Sequence, residues 1–239
     1  MNKNFIPPLL TALLGCTGVL LSACQTAPST VTTTAPATTP LPPLPVEGAT
    51  HYAINAELSD VRFLVYRAGA LASFGHDHVI QAKDVSGDIY LAQDFRASGF
   101  SLSLPLAGFV VDAPEARGVE GPDFAKQPSA AAIDGTRKNM LGSALLDAEH
   151  FPAVQVRSVK LLGPDWGPDA TVRIELHGAS RELTVPIAVE RCGDTLSVSG
   201  AFDLKQSDFG LTPFSALGGG LQVADTLRVR FHLVAQKTP

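Results

Sequence analysis

From His51 to the C-terminus the chain repeats one kind of pattern: apolar and polar residues alternate over about six to ten positions, and each run is broken by Gly, Asp, Asn or Pro. Successive side chains on an extended strand point to opposite faces, so this alternation predicts strands with one apolar and one solvated face. VRFLVYR sets Val61, Phe63 and Val65 on one face, and SGDIYLA sets Gly87, Ile89 and Leu91. GFSLSLPLA places Phe100, Leu102, Leu104 and Leu106 opposite Ser101, Ser103 and Pro105. TVRIELH alternates Val172, Ile174 and Leu176 with Arg173, Glu175 and His177. LTVPIAVE presents Leu183, Val185, Ile187 and Val189, and TLRVRFHLV presents Leu227, Val229, Phe231 and Leu233. Half-apolar strands of this kind belong to antiparallel sheets.

One segment breaks the period. In TRKNMLGSALLDAEHFP, Met140, Leu141, Ala144 and Leu145 recur at helical spacing before Pro152, which predicts a single short α-helix. An open sheet would leave two edges and its apolar face uncovered, so the pattern predicts an all-β, antiparallel closed barrel, with a sandwich as the alternative. A barrel of about eight to ten strands is wide enough to be filled by side chains or to hold one small ligand. Phe63, Phe100, Leu102, Leu104, Val229 and Phe231 are the expected interior residues, with Met140 and Leu141 from the helix.

FGHDHVI puts two histidines in line with Phe74 and Ile80, while Gly75, Asp77 and Val79 take the other face. If Ile80 faces the interior, His76 and His78 also point inward and Asp77 points out. Three roles stand open for the pair: a hydrogen-bonded structural pair, contacts to a ligand's head group, or ligation of a metal or haem iron. Two imidazoles alone are half of a usual zinc set, and His177 and His232 fall on polar faces by parity. Residues 112–135 form a long Pro-, Gly- and Ala-containing loop, expected to overhang one barrel end.

The N-terminal part is of another kind. Residues 1–23 carry Lys3, the apolar run LLTALLGCTGVLLSA and then LSAC, which ends on Cys24. This reads as a cleaved signal, since the run is short for a membrane-spanning helix. LSAC resembles the lipobox of bacterial lipoproteins, which implies that Cys24 is lipidated, with palmitate or a similar acyl chain, and becomes the mature N-terminus. Gln25 stands where an aspartate would favour inner-membrane retention, so the resemblance implies an anchor on the periplasmic side of the outer membrane. Residues 24–49, rich in Thr, Pro and Ala, read as an extended tether with a reach of roughly 70 Å. That leaves residues 50–239 as one domain.

The remaining features mainly exclude. Cys16 leaves with the signal and Cys24 is acylated, so Cys192, in the turn-like RCGDT, has no partner for a disulfide within the chain. A net charge of -5 without a basic cluster argues against nucleic acid. No HExxH, nucleophile elbow or phosphate-cradling glycine loop occurs, and the DFG of SDFG stands without the other kinase motifs, so no enzyme is expected.

HYAINAELSDVRFLVYRAG, GTRKNMLGSALLDAEHFPAVQVRS, VRIELHGASRELTVPIAV and AFDLKQSDFGLTPF follow one another in an order that resembles the YceI-like family of periplasmic polyisoprenoid-binding proteins. GHDHVIQ marks a histidine-containing variant of that pattern. The resemblance implies a lipocalin-like barrel with an elongated apolar cavity for the tail of an isoprenoid lipid or quinone. Phe63, Phe74, His76, His78, Phe100, Leu102, Leu104, Met140, Leu141, Val229 and Phe231 are then the expected ligand contacts, and no further cofactor is implied. A metal- or haem-binding barrel and a ligand-free interaction module remain the alternatives, and a homodimer stays open.

Overall fold

A computed structural model describes residues 42–239; the expected signal, the expected lipidation site Cys24 and most of the expected tether lie outside these residues. Within them the alternating runs form the strands β1 (Thr50–Ile54), β2 (Asp60–Val65), β3 (Arg67–Ala68), β4 (His78–Ala82), β5 (Ser86–Leu91), β6 (Gly99–Pro105) and β7 (Phe109–Val111). They continue as β8 (Ala153–Leu162), β9 (Asp169–Leu176), β10 (Ala179–Cys192), β11 (Thr195–Lys205), β12 (Ser215–Ala216), β13 (Leu221–Val223) and β14 (Thr226–Lys237).

Eight strands close on themselves in the order β1-β5-β6-β8-β9-β10-β11-β14, with β14 returning to β1 through Ala235 opposite Ile54. Every pairing is antiparallel. The fold is the predicted closed barrel. β14 is long enough to serve two neighbours: its C-terminal part pairs with β1, while Arg228 to His232 pair with β2, which carries β4 and β7 in turn. Closure pairs both edges of the eight-strand barrel, edges that would otherwise invite association. The chain reverses between β9 and β10 on His177 and Gly178, whose φ values of 51° and 73° suit the twist of a two-residue hairpin. Gly87 lets β5 approach β6: a Cβ there would lie 2.2 Å from the Ser101 carbonyl oxygen.

The apolar faces point inward as expected. Val61, Leu104, Val172, Ile174, Val185, Val229 and Leu233 are buried in one cluster, and Phe63, Phe100, Leu102 and Phe231 pack against it.

Two expectations are corrected. The predicted helix is real but displaced: it runs Ala130–Leu141 (α2), starting six positions before Thr136, and Ser129 caps it by accepting from the Ala132 N–H at 3.3 Å. Gly142 is extended and ends it, so Ala144 and Leu145 fall in turns. Its first turn, AAAI, has strong helix propensity but no amphipathic period, which is why patterning missed it.

The loop 112–135 does not overhang a barrel end. It contains a short helix α1 (Pro114–Gly118), a single 3-10 turn at Pro122–Phe124 and the start of α2, and it straps the outer flank of the barrel. Leu64 and Val79, on the outward faces of β2 and β4, are buried there with Ala116 and Phe124. Glu120 takes Arg62 at 2.9 Å and Arg230 at 2.7 Å. β2 and β4 each carry an apolar residue, Leu64 and Val79, on their outer faces, and these need this cover.

Candidate ligand-binding cavity

The barrel encloses a cavity of about 450 Å³, within the range of small-molecule sites. Inward residues of nearly every barrel strand line it, including Ile89, Leu91, Val156, Leu176, Ile187, Val198 and Leu227. The cavity opens at one end. Its exposed lining residues, Arg67, Asn139, Phe214 and Gln222, all lie where β3, β12 and β13, which pair into a small sheet, face α2.

Of the predicted contacts, Phe63, His76, His78, Phe100, Leu102, Leu104, Met140, Val229 and Phe231 line this space. Two do not. Leu141 packs into the core beside the cavity instead, on the neighbouring face of α2. Phe74 is 81 % exposed: it ends a 3-10 turn, Ala72–Phe74, and β4 begins only at His78, so the parity assumed from Phe74 to Ile80 breaks at Gly75.

His76 and His78 sit together near the open end, with ring centroids 4.6 Å apart and edge to face. His78 is held from behind. Its Nδ1–H donates to Asp112 Oδ2 at 2.7 Å, which fixes the tautomer and leaves Nε2 for the partner ring or the cavity. Asp112 Oδ1 accepts from the Val79 N–H at 2.9 Å and from Arg117 Nη1 at 2.5 Å. Arg117 also donates to the carbonyls of Asp77 at 2.8 Å and Lys126 at 2.7 Å, and it lies against the Phe124 ring. The Asp112 side chain is fully buried.

Burial alone would raise the Asp112 carboxyl; the hydrogen bonds from His78 and the Val79 N–H, the electrostatic pull of His78 and the Arg117 guanidinium outweigh it and hold the group below its ordinary value. The opposite holds at His76. Burial, then the neighbouring His78, push its imidazole below the ordinary histidine value, which favours the neutral ring. His76 Nε2 is buried and has no hydrogen-bond partner within the protein.

Asp77 does not line the cavity; it is buried outside it, and its Oδ1 accepts from the Arg67 N–H at 2.7 Å. The sequence reading missed Asp112 and Arg117 altogether. Their only signal is an acidic and a basic residue five apart in VVDAPEAR, which is common in exposed loops. Among the described residues no three His, Cys, Asp or Glu side chains converge as a metal site, so His76 and His78 stand without a third ligand. Cys192 is an exposed free thiol at the end of β10, paired with Thr195 just before the β10–β11 turn.

The chain is similar in fold to BcnA of Burkholderia cenocepacia, with 17 % identity and a TM-score of 0.55 over 77 % of this chain and 99 % of that one. It is similar also to a polyisoprenoid binding domain from Saccharophagus degradans, with 16 % identity and a TM-score of 0.54 over 80 % of this chain and 99 % of that one. No curated protein sequence matches it. The sequence model of the YceI-like domain matches residues 52–235, which span the barrel from β1 to β14, and the chain therefore belongs to the YceI-like domain family.

Proposed function

We propose that this protein is a lipid-anchored binding protein of the bacterial cell envelope, on the periplasmic side of the outer membrane. It holds the tail of an isoprenoid lipid or quinone in the barrel. The observation that carries this reading is the cavity itself, which is lined along its length by Val, Leu, Ile and Phe and has its polar side chains gathered mainly near one end. An apolar tail removed from water there gains about 25 cal/mol per Å², or roughly 2.5 kcal/mol for each 100 Å² buried, without any specific hydrogen bond. The domain from Saccharophagus degradans, described as polyisoprenoid binding, supports the same ligand class. The protein works by binding, not by catalysis.

The tail leaves the head group near the open end, where His76 Nε2 has an unfilled hydrogen bond and His78 is oriented by Asp112. A neutral imidazole suits a carbonyl or hydroxyl head, as on a quinone or its reduced form, because it can either donate or accept. Titration of the purified protein with an isoprenoid quinone should show one bound per chain. Replacing both His76 and His78 by Gln should leave the fold intact and weaken binding by about 1 to 3 kcal/mol, the cost of polar groups left unpaired in a dry site. Unchanged affinity per folded molecule, with lower stability, would make the pair structural.

Anchoring has its own test. Cys24→Ala should move the protein from the membrane fraction to the soluble fraction, apart from a weakly and reversibly held residue. A variant that stays fully membrane-bound after signal cleavage would refute the lipoprotein reading.

A further inference from the structure

We infer that the open end of the barrel is a docking rim for a lipid bilayer, through which the cavity exchanges its lipid directly with the membrane. The inference takes its cargo from the lipid reading above, but the rim can be tested without any cargo.

Two segments build this end. Residues 69–76 carry Leu71 and Phe74, and residues 211–224 carry Phe214 and Leu217. They form one surface: the Leu71 N–H donates to the Gly220 carbonyl at 2.8 Å, and the Phe74 N–H donates to the Leu71 carbonyl at 3.0 Å. The Leu71 and Leu221 side chains close over Gly220 and Gly75, where an added Cβ would come within 2.8 and 2.9 Å of them. Phe74 is 81 % exposed and Leu217 73 %, with Phe214 and Leu71 less so. Phe214 belongs also to the cavity wall and joins the exposed apolar surface to the cavity, beside Arg67 and Gln222.

Two features show that the rim is more than stray surface hydrophobics. Neither segment contains an Asp, Glu, Lys or Arg, although each exposes several residues to solvent, where charged residues are normally plentiful. Leu217 also adopts φ 53°. The other non-glycine residues at positive φ among those described are Asp84, Asp112, Asp147 and His177, types that tolerate this region, whereas a bulky leucine is an outlier there. It is followed by three glycines and packs into no core, so the fold gains nothing from a side chain held outward at a conformational cost.

A bilayer fits this surface better than a protein partner does. Protein interfaces surround their apolar centre with polar groups that set register, and of the exposed residues lining this opening only Arg67 is charged, its guanidinium donating to the Gly75 carbonyl at 3.2 Å. Hydrocarbon asks only for apolar area, and side chains such as Phe and Leu enter the head-group and acyl boundary to a depth of about 5 to 10 Å. Pressed against the membrane, the opening would let an isoprenoid tail pass without crossing water. One cation, Arg67, stands beside the apolar side chains of Leu71, Phe74, Phe214 and Leu217, so docking should be carried by apolar area and should not require anionic lipid.

The test uses the signal-cleaved chain with Cys24→Ala, so that neither the apolar run of residues 1–23 nor an acyl group holds it, floated with vesicles of pure phosphatidylcholine. The parent should float with these vesicles at low and high salt alike. A Phe74→Ser, Leu217→Gly double variant should lose at least about tenfold in vesicle-bound fraction, the scale expected for removing two exposed apolar side chains. It should keep its Tm, since glycine takes φ 53° without strain. Trp166→Ser, which removes an exposed apolar side chain between β8 and β9 at the other end of the barrel, should float like the parent. The inference is overturned if the double variant floats as well as the parent, if Trp166→Ser loses as much, or if floating needs anionic vesicles. A parent that floats on no vesicle also overturns it and leaves a protein as the rim's partner. Rim-dependent floating by a chain that binds no quinone would sink the lipid reading alone; quinone binding with rim-independent floating would sink this inference alone.

Discussion

Arg117→Met should destabilise the domain by about 3 to 5 kcal/mol, the usual loss when one member of a buried ion pair is removed and the other stays. Methionine keeps most of the apolar stem, so the loss reports charge and hydrogen bonding more than packing. What it leaves behind is Asp112, fully buried, with only His78 and the Val79 N–H to compensate its charge. It also frees the carbonyls of Asp77 and Lys126, so the strap loses its hold on the barrel flank. The variant should also show a changed acid response. In the parent the Asp112 carboxyl is held below its unfolded value of 3.8, so its contribution to stability is present above that value and is lost as pH falls through the lower folded value. Without Arg117 the folded value rises, and acid unfolding should begin at a higher pH. Urea midpoints at neutral and acid pH check both points. A midpoint within error of the parent at both would show that the strap is not held by this pair.

Leu104→Asp should be comparably severe, at several kcal/mol or outright loss of the fold, because it puts a carboxylate on the inward face of β6 among Val61, Val154 and Val172. Ser103→Asp, one position away, should stay within about 0.5 kcal/mol, since the outward Ser103 meets only Gln155 at an exposed site. The contrast is a direct consequence of the two-residue period. Equal thermal shifts for the two variants would mean that β6 is read with the wrong face inward.

That period made the barrel legible. Each run from VRFLVYR to TLRVRFHLV has its apolar set facing the cavity or its core, because antiparallel register leaves a side chain no third direction to take. Legibility failed where the period ends or where both faces are apolar. Phe74 was counted on the strand although the 3-10 turn before Gly75 throws it outward, while His76, one residue beyond that glycine, still reaches the cavity. Leu64 and Val79 interrupt the alternation on the outer side, and what covers them is a non-local choice made by Ala116 and Phe124, far along the chain. Asp112 and Arg117 depend on that same docking, so their pairing with His78 has no local sequence signal. The histidines were therefore visible as candidates, but the carboxylate that orients one of them was not.

The most direct measurement of the central claim is mass spectrometry of the organic extract from the protein purified out of its native membrane without added lipid. An isoprenoid-tailed molecule near one per chain should be recovered, and it should be missing from Leu102→Trp, whose larger side chain occupies the space that a tail would fill between β5 and β8. A folded protein whose extract holds no such molecule, and which takes up none when an isoprenoid quinone is supplied, would contradict the claim that this barrel is a lipid carrier.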